Sequence, residues 1–241
     1  MEVKRQIIAM GGGGFSMEPD NLLLDEYFLK QTGKDCPKIC FVPTASGDSD
    51  YYIRRFYDAF TTLECRPSHL SLFNPPTADL ESFVLAHDAI YVGGGNTRNL
   101  LVLWREWGLD KFLRTAWENG VVLGGLSAGA ICWFEQGVSD SVIPGHLTKL
   151  TGLGFLKGSF CPHYNGEPQR RPAYHAIVLA NEMLEGVAAE DGVALHYIND
   201  ELAHVISSRP HTKAYSVRKK GDRIEEQEMK VLYLKSSHQA R

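Results

Sequence analysis

Two rhythms of apolar residues alternate along the first two-thirds of this chain. Near-continuous apolar runs at Ile7 to Met10, Lys38 to Val42, Ala89 to Val92 and Val121 to Leu123 predict short strands buried on both faces. Between them, apolar residues recur three and four apart. Leu22, Leu23, Tyr27 and Phe28 do so within Asn21 to Thr32, and Ile53, Phe56, Tyr57 and Phe60 within Asp50 to Leu63. That spacing predicts helices, as do the patterns of Asp79 to Ala86, Asn96 to Trp107 and Asp110 to Asn119. Pro67 to Phe73 reads as a weaker strand. Strand–helix alternation predicts an α/β fold with a mostly parallel, doubly wound sheet flanked by helices. After Gly158 the rhythm changes. A helix near Pro172 to Glu185 precedes short strands at Val193 to Ile198, Leu202 to Ser207, Ala214 to Val217 and Lys230 to Leu234. These predict antiparallel additions toward the C-terminus. No linker-like stretch interrupts residues 1–241, so one domain is expected.

Charge narrows the function classes. A net charge of −4 and a pI near 6.1 argue against nucleic acid or an anionic membrane as partner. No apolar run approaches the roughly 20 residues of a membrane span. Met1 to Gly14 lacks a signal-peptide pattern, and Cys36, Cys40, Cys65, Cys132 and Cys161 form no Cys-x-x-Cys. Free thiols and a cytoplasmic location are expected. The histidines show no metal-binding spacing, so no metal is expected. Gly11 to Gly14 invites a dinucleotide reading, but Ser16 and Met17 stand where the fingerprint needs glycine or alanine, and no cofactor is expected.

Three glycine-rich turns follow predicted strands, at 11–14, 93–95 and 124–129. In parallel sheets ligands bind beyond the carboxyl ends of the strands, so all three should share one edge and one site. The third reads Gly124-Gly125-Leu126-Ser127-Ala128-Gly129. An apolar strand, a lone serine flanked by Gly125 and Gly129, and a small-residue helix start make a nucleophile elbow. Its plain alternative is a tight strand-to-helix turn. In an elbow, the Ala128 N–H at the helix start can stabilise an oxyanion.

A serine nucleophile needs a base, and the base needs an orienting acid. His163, after Pro162 at a predicted strand end, and His146, in a loop with Pro144 and Gly145, both qualify. His69 and His87 read as surface residues, His175 as helical, and His196 and His204 as strand residues. His211 sits in a polar turn and His238 in the tail. The downstream acids are Glu167, Glu182, Glu185, Glu190, Asp191 and Asp200. Asp191-Gly192 suits an orienting acid at strand ends and equally suits a hairpin turn. Spacing does not decide between these.

Tyr91 to Thr97, Gly125 to Ala130 and Pro162-His163-Tyr164, in this order, resemble the peptidase E group. These are aspartyl dipeptidases related to cyanophycinases, on a fold similar to class I glutamine amidotransferases. The resemblance extends over most of the chain and is weakest at 137–158 and after Ser207. It implies Ser127 as nucleophile and His163 as base. The third member falls on Asp191, where the family carries glutamate, with Glu190 as the lesser candidate. It further implies oxyanion donors at the Gly95 and Ala128 N–H groups. Substrate contacts fall on Asn96 and on Arg170, with Arg171 as the alternative carboxylate binder. The expected activity is hydrolysis of short peptides, above all dipeptides with N-terminal aspartate. Alternatives are a β-aspartyl or cyanophycin-type hydrolase, a glutaminase-like amidase, and a non-catalytic binding protein. Cys132 lies too far along the elbow helix to replace Ser127. Trp104, Trp107 and Trp117 could line a homodimer interface, although helix-to-sheet packing is the ordinary role of such residues.

Overall fold

The computed structural model describes residues 3–235; His238 lies outside them. Strands β1 (Gln6–Met10), β2 (Lys38–Val42), β3 (Arg66–His69), β4 (Ala89–Val92) and β5 (Val122–Leu126) alternate with six helices. The helices are α1 (Gly14–Met17), α2 (Leu23–Lys30), α3 (Asp50–Phe60), α4 (Leu80–Leu85), α5 (Thr97–Trp107) and α6 (Leu109–Glu118). Then follow α7 (Ala128–Ile131), β6 (Phe134–Ile143), β7 (His146–Thr151), β8 (Leu156–Cys161) and α8 (Arg170–Leu179). The chain continues with β9 (Gly186–Ala189), β10 (Val193–Ile198), β11 (Glu201–Ser207), β12 (Ala214–Lys220), β13 (Arg223–Glu228) and β14 (Leu232–Tyr233).

The first sheet has eight strands in the order β14-β11-β10-β1-β5-β4-β2-β3. From β1 to β3 every neighbouring pair is parallel. Strands β10 and β11 add antiparallel beyond β1, as their sequence pattern implies. Because β1, β5 and β4 are adjacent and parallel, their exits emerge side by side at one edge. Gly124 and Gly125, expected in the third turn, instead lie within β5, paired with β1 and β4, so that this turn begins only at Ser127. The strand interiors are buried on both faces, which accounts for their unbroken apolar runs. One face packs Phe15, Phe28, Phe41, Phe56, Phe60 and Tyr91, with Phe56 and Phe60 stacked at 4.4 Å. The other face packs Ile7, Ile90 and Leu123 with Trp104, Trp117 and Trp133. Each such large side chain contributes roughly 1.5–3 kcal/mol on burial. Trp104 and Trp117 therefore pack helices onto the sheet, while Trp107 is exposed. Among the described residues, no helix is long and apolar enough to cross a membrane.

A second, six-stranded sheet, β13-β12-β9-β8-β6-β7, departs from the sequence expectation. Its strands β6 and β7 form a hairpin in the stretch 137–158, where the apolar pattern is weak. The segment expected at Ala214 to Val217 belongs to this sheet and not to the first. The expected strand Lys230 to Leu234 shortens to β14, which runs parallel to β11 instead of antiparallel. The expected helix Pro172 to Glu185 starts earlier and ends at Leu179. His69 and His87 are half-buried rather than surface residues: His69 meets the Tyr57 hydroxyl at 2.9 Å, and His87 meets Ser68 Oγ at 2.8 Å.

Candidate active site

The elbow is built by close packing against a neighbouring strand. Side chains at Gly125 or Gly129 would press into the Val92 carbonyl of β4, so only glycine fits both positions. Between them Ser127 takes φ 53° and ψ −115°, outside the ordinary regions for a residue with a side chain. Such strain costs on the order of 1–3 kcal/mol and persists where packing overdetermines it. Ser127 is half-buried, directly before α7. The first N–H groups of a helix lack intrahelical partners, so Ala128 N–H is placed as a donor.

His163 follows β8 and Pro162 and also has a positive φ, 53°. Its Nδ1 lies 2.6 Å from Asp191 Oδ1, with both side chains nearly enclosed at 13% and 10% exposure. A carboxylate accepting from Nδ1–H leaves Nε2 as the basic nitrogen. Asp191 is itself held: its N–H donates to Asn165 Oδ1 at 3.0 Å, and Gly166 packs directly on its carboxylate. The Asp191-Gly192 turn is no hairpin, because β9 belongs to the second sheet and β10 to the first. The chain crosses between sheets at this acid. Glu190 faces elsewhere: its Oε2 accepts from Lys213 N–H at 3.0 Å and its Oε1 from the Tyr215 hydroxyl at 3.3 Å. His146 is exposed beside the β6–β7 turn.

The first glycine turn ties these pieces together. Met10 O accepts from Ser127 N–H at 3.2 Å, Gly11 O from His163 N–H at 3.0 Å, and Gly12 O from Gly192 N–H at 2.9 Å. Three successive carbonyls thus hold the backbones of the serine, of the histidine and of the residue after the aspartate. Gly12 has no room for a Cβ, which would run into Asp191 Oδ1 and His163 Nδ1. The second turn borders the elbow, since a Cβ at Gly94 would lie 3.5 Å from Ser127 Cβ. Gly95, at φ 137°, packs on the Ala45 carbonyl, which accepts from Asn96 N–H at 2.7 Å.

The expected substrate contacts carry other bonds. Asn96 caps α5: its Oδ1 accepts from Asn99 N–H at 2.9 Å, and its Nδ2 donates to Ser141 O at 3.2 Å. Arg170 is buried at 5% exposure, with Nε on Glu167 Oε2 at 2.8 Å and Nη1 on Val138 O at 3.0 Å. Arg171 is half-exposed, pairs with Glu226 and lies over the Tyr164 and Tyr215 rings. Burial pushes the Cys132 thiol well above its ordinary range. A thiol held neutral in this way is inert. Among the described residues, no group of three or more His, Cys, Asp or Glu is arranged to hold a metal ion.

The sequence profile of Peptidase family S51 matches residues 7–205, a span holding Ser127, His163 and Asp191. The chain belongs to peptidase family S51. It is 64% identical over 230 residues to the uncharacterized peptidase YgaJ of Bacillus subtilis (strain 168), covering 95% of this chain and 99% of that protein. The uncharacterized peptidase Lmo0363 of Listeria monocytogenes is 28% identical over 137 residues, 54% of this chain and 67% of that one. Two solved structures share the fold. A peptidase from an acI-B1 Actinobacterium superposes with TM-score 0.72 at 17% identity, covering 94% of each chain. A putative peptidase E protein from Listeria monocytogenes EGD-e gives TM-score 0.63 at 21% identity, covering 86% of this chain and 99% of that chain.

Some residues of the candidate site carry no signal, or only a weak one, in the sequence. Gly11 and Gly12 read there as a turn or as an approach to substrate, whereas they pack on the protein's own His163–Asp191 pair and on Ala189 and Glu190. Their partners lie some 150 to 180 residues away in sequence, so no local signal reveals the contact. Asn165 carried a weak signal, two positions after a candidate histidine. Glu226 lies beyond the matched span. It binds the Tyr164 hydroxyl at 2.6 Å and His175 Nε2 at 2.9 Å, bracing the residue after His163.

Proposed function

We propose that this S51 peptidase is a serine peptidase that cleaves short peptides through an acyl-enzyme. The observation that carries the reading is the 2.6 Å contact between His163 Nδ1 and Asp191 Oδ1, with the histidine hung one carbonyl from the strained Ser127. Ser127 Oγ attacks the scissile carbonyl while His163 Nε2 takes its proton. Asp191 keeps the proton on Nδ1 and stabilises the imidazolium that forms. The N–H groups of Gly95 and Ala128 receive the oxyanion, each worth roughly 10²–10³ in rate. His163 then protonates the leaving amine, and water clears the ester by the reverse path. Five free thiols fit a reducing, cytoplasmic setting.

For the substrate we propose a dipeptide with N-terminal aspartate, Arg170 taking the aspartyl carboxylate. One observation favours a second reading. The Arg170 guanidinium already holds Glu167 and the Val138 carbonyl, so another specificity, such as β-aspartyl peptides, competes. The deciding experiment compares hydrolysis of Asp-Leu, β-Asp-Leu and Leu-Leu, with Ser127→Ala as control. Serine-dependent cleavage of Asp-Leu alone establishes the aspartyl dipeptidase. Cleavage of β-Asp-Leu alone establishes the second reading, and cleavage of none removes both.

A further inference from the structure

Asp25, on α2, is completely buried, yet one of its carboxylate oxygens has no hydrogen-bond partner among the described residues. Leaving a buried polar atom unpaired is costly, and a carboxylate is the most costly case. Simple packing would favour an apolar residue here. The other oxygen, Oδ2, accepts from Phe15 N–H at 2.8 Å and so anchors α1 immediately after the first glycine turn. The orphan Oδ1 faces that turn: a side chain on Gly14 would meet both Oδ1 and the Tyr91 hydroxyl at 3.0 Å. The Tyr91 hydroxyl donates to Met10 Sδ at 3.3 Å. Sulfur is a weak acceptor, so the hydroxyl is free to turn toward a charged Asp25. Met10 and the turn it opens supply the three carbonyls that hold Ser127, His163 and Gly192.

We propose that Asp25 is a positioning residue for the peptidase reaction, its carboxyl group setting the placement of Ser127, His163 and Asp191 through Phe15, Gly14 and the Met10–Gly12 carbonyls. The inference rests on the serine-peptidase reading. A charged carboxylate makes the stronger bond to Phe15 N–H and recruits the Tyr91 hydroxyl, tightening the turn. A neutral one loosens both ties. Burial pushes the Asp25 carboxyl up to about 7, with the Glu18 charge adding to the rise and the Phe15 N–H and the Tyr91 hydroxyl opposing it. From α3, Arg55 donates to Phe15 O at 3.2 Å, and the Tyr52 hydroxyl, which accepts from Gly94 N–H at 3.2 Å, is pushed above its ordinary range by burial with the Asp25 charge adding to it. The switch between the two states therefore falls at neutral pH.

The test follows labelling of Ser127 by an organophosphonate between about pH 5.5 and 8.5 in the full chain, in Asp25→Asn and in Tyr91→Phe. Asparagine retains an acceptor for Phe15 N–H but cannot ionise. The two chains should react alike below pH 7, with wild type gaining at least about fivefold over Asp25→Asn above it. Tyr91→Phe removes a group that favours the charged form, so its inflection should move to higher pH. Parallel profiles for wild type and Asp25→Asn at every pH overturn the inference. If Asp25→Asn does not fold, an unmoved inflection in Tyr91→Phe does so. Wild type that labels no faster than Ser127→Ala overturns the peptidase reading and the inference with it. A labelled wild type with parallel profiles overturns the inference alone.

Discussion

The carbonyl of Gly11 holds the N–H of His163 at 3.0 Å, one residue beyond the Met10 carbonyl that holds Ser127. The distance between serine and histidine backbones is thereby set by a single peptide step of the first strand's exit, and not by either residue's own loop.

This relationship makes Gly12 a sensitive position. Its missing side chain is the space occupied by Asp191 Oδ1 and His163 Nδ1. Gly12→Ala should lower kcat at least about 10²-fold, the scale expected for a misplacement near 1 Å. Circular dichroism should show the fold retained, because the displaced atoms belong to the Asp191 and His163 side chains and not to the backbone of the strands. Normal turnover in this variant would mean that the pair does not need its present position.

The adjacent acids separate cleanly. Asp191→Asn keeps the shape of the carboxylate but favours the wrong imidazole tautomer, and kcat should fall by about 10⁴. Glu190→Gln disturbs only the ties to Lys213 and Tyr215. It should change kcat less than about threefold, within the range of an uncharged hydrogen-bond swap. Steady-state kinetics of the two variants on one peptide decides the matter.

Ser127→Ala should lose about 10⁶ in kcat with an unchanged melting curve, and His163→Ala a comparable amount. The exposed His146, the rival base in the sequence, should tolerate alanine with full activity. A loss in His146→Ala equal to that in His163→Ala would reverse the assignment.

Asp25 also ties stability to pH. Its folded value of about 7 stands above the ordinary 3.8, so the folded state holds a proton that the unfolded state releases. The resulting stability is fully present below pH 3.8 and is lost as pH rises through 7. Asp25→Asn has no such loss. Its stability relative to wild type should rise between acid and mildly alkaline pH, by on the order of a few kcal/mol. Urea unfolding at a series of pH values measures this difference, and a flat difference would place the Asp25 proton elsewhere. The same variant is expected to be the slower one above pH 7, so stability and rate respond in opposite directions.

Much of this was legible in the chain itself. The apolar runs ending at Met10, Val92 and Leu123, each followed by glycine, identify three parallel strands opening on one edge, although the third continues through its glycines to Leu126. Ser127 between Gly125 and Gly129 marks the elbow, because only that residue pattern packs so tightly on Val92. These are local signals: strand period, helix period and the absence of a Cβ are written within a few residues. The resemblance points to His163 and Asp191, but the contact between them, the turning of Glu190 toward Lys213, and the fastening of Ser127, His163 and Gly192 by the Met10, Gly11 and Gly12 carbonyls are visible only in three dimensions. So is the second sheet, whose strands β6 to β9 and β12 to β13 are interrupted in the chain by β10 and β11 of the first sheet. Contacts of this kind depend on where a distant backbone arrives and not on what the neighbouring residues are. One residue of register in a loop separates the acid that meets His163 from the acid that ties Lys213, and the local sequence carries no term for that difference.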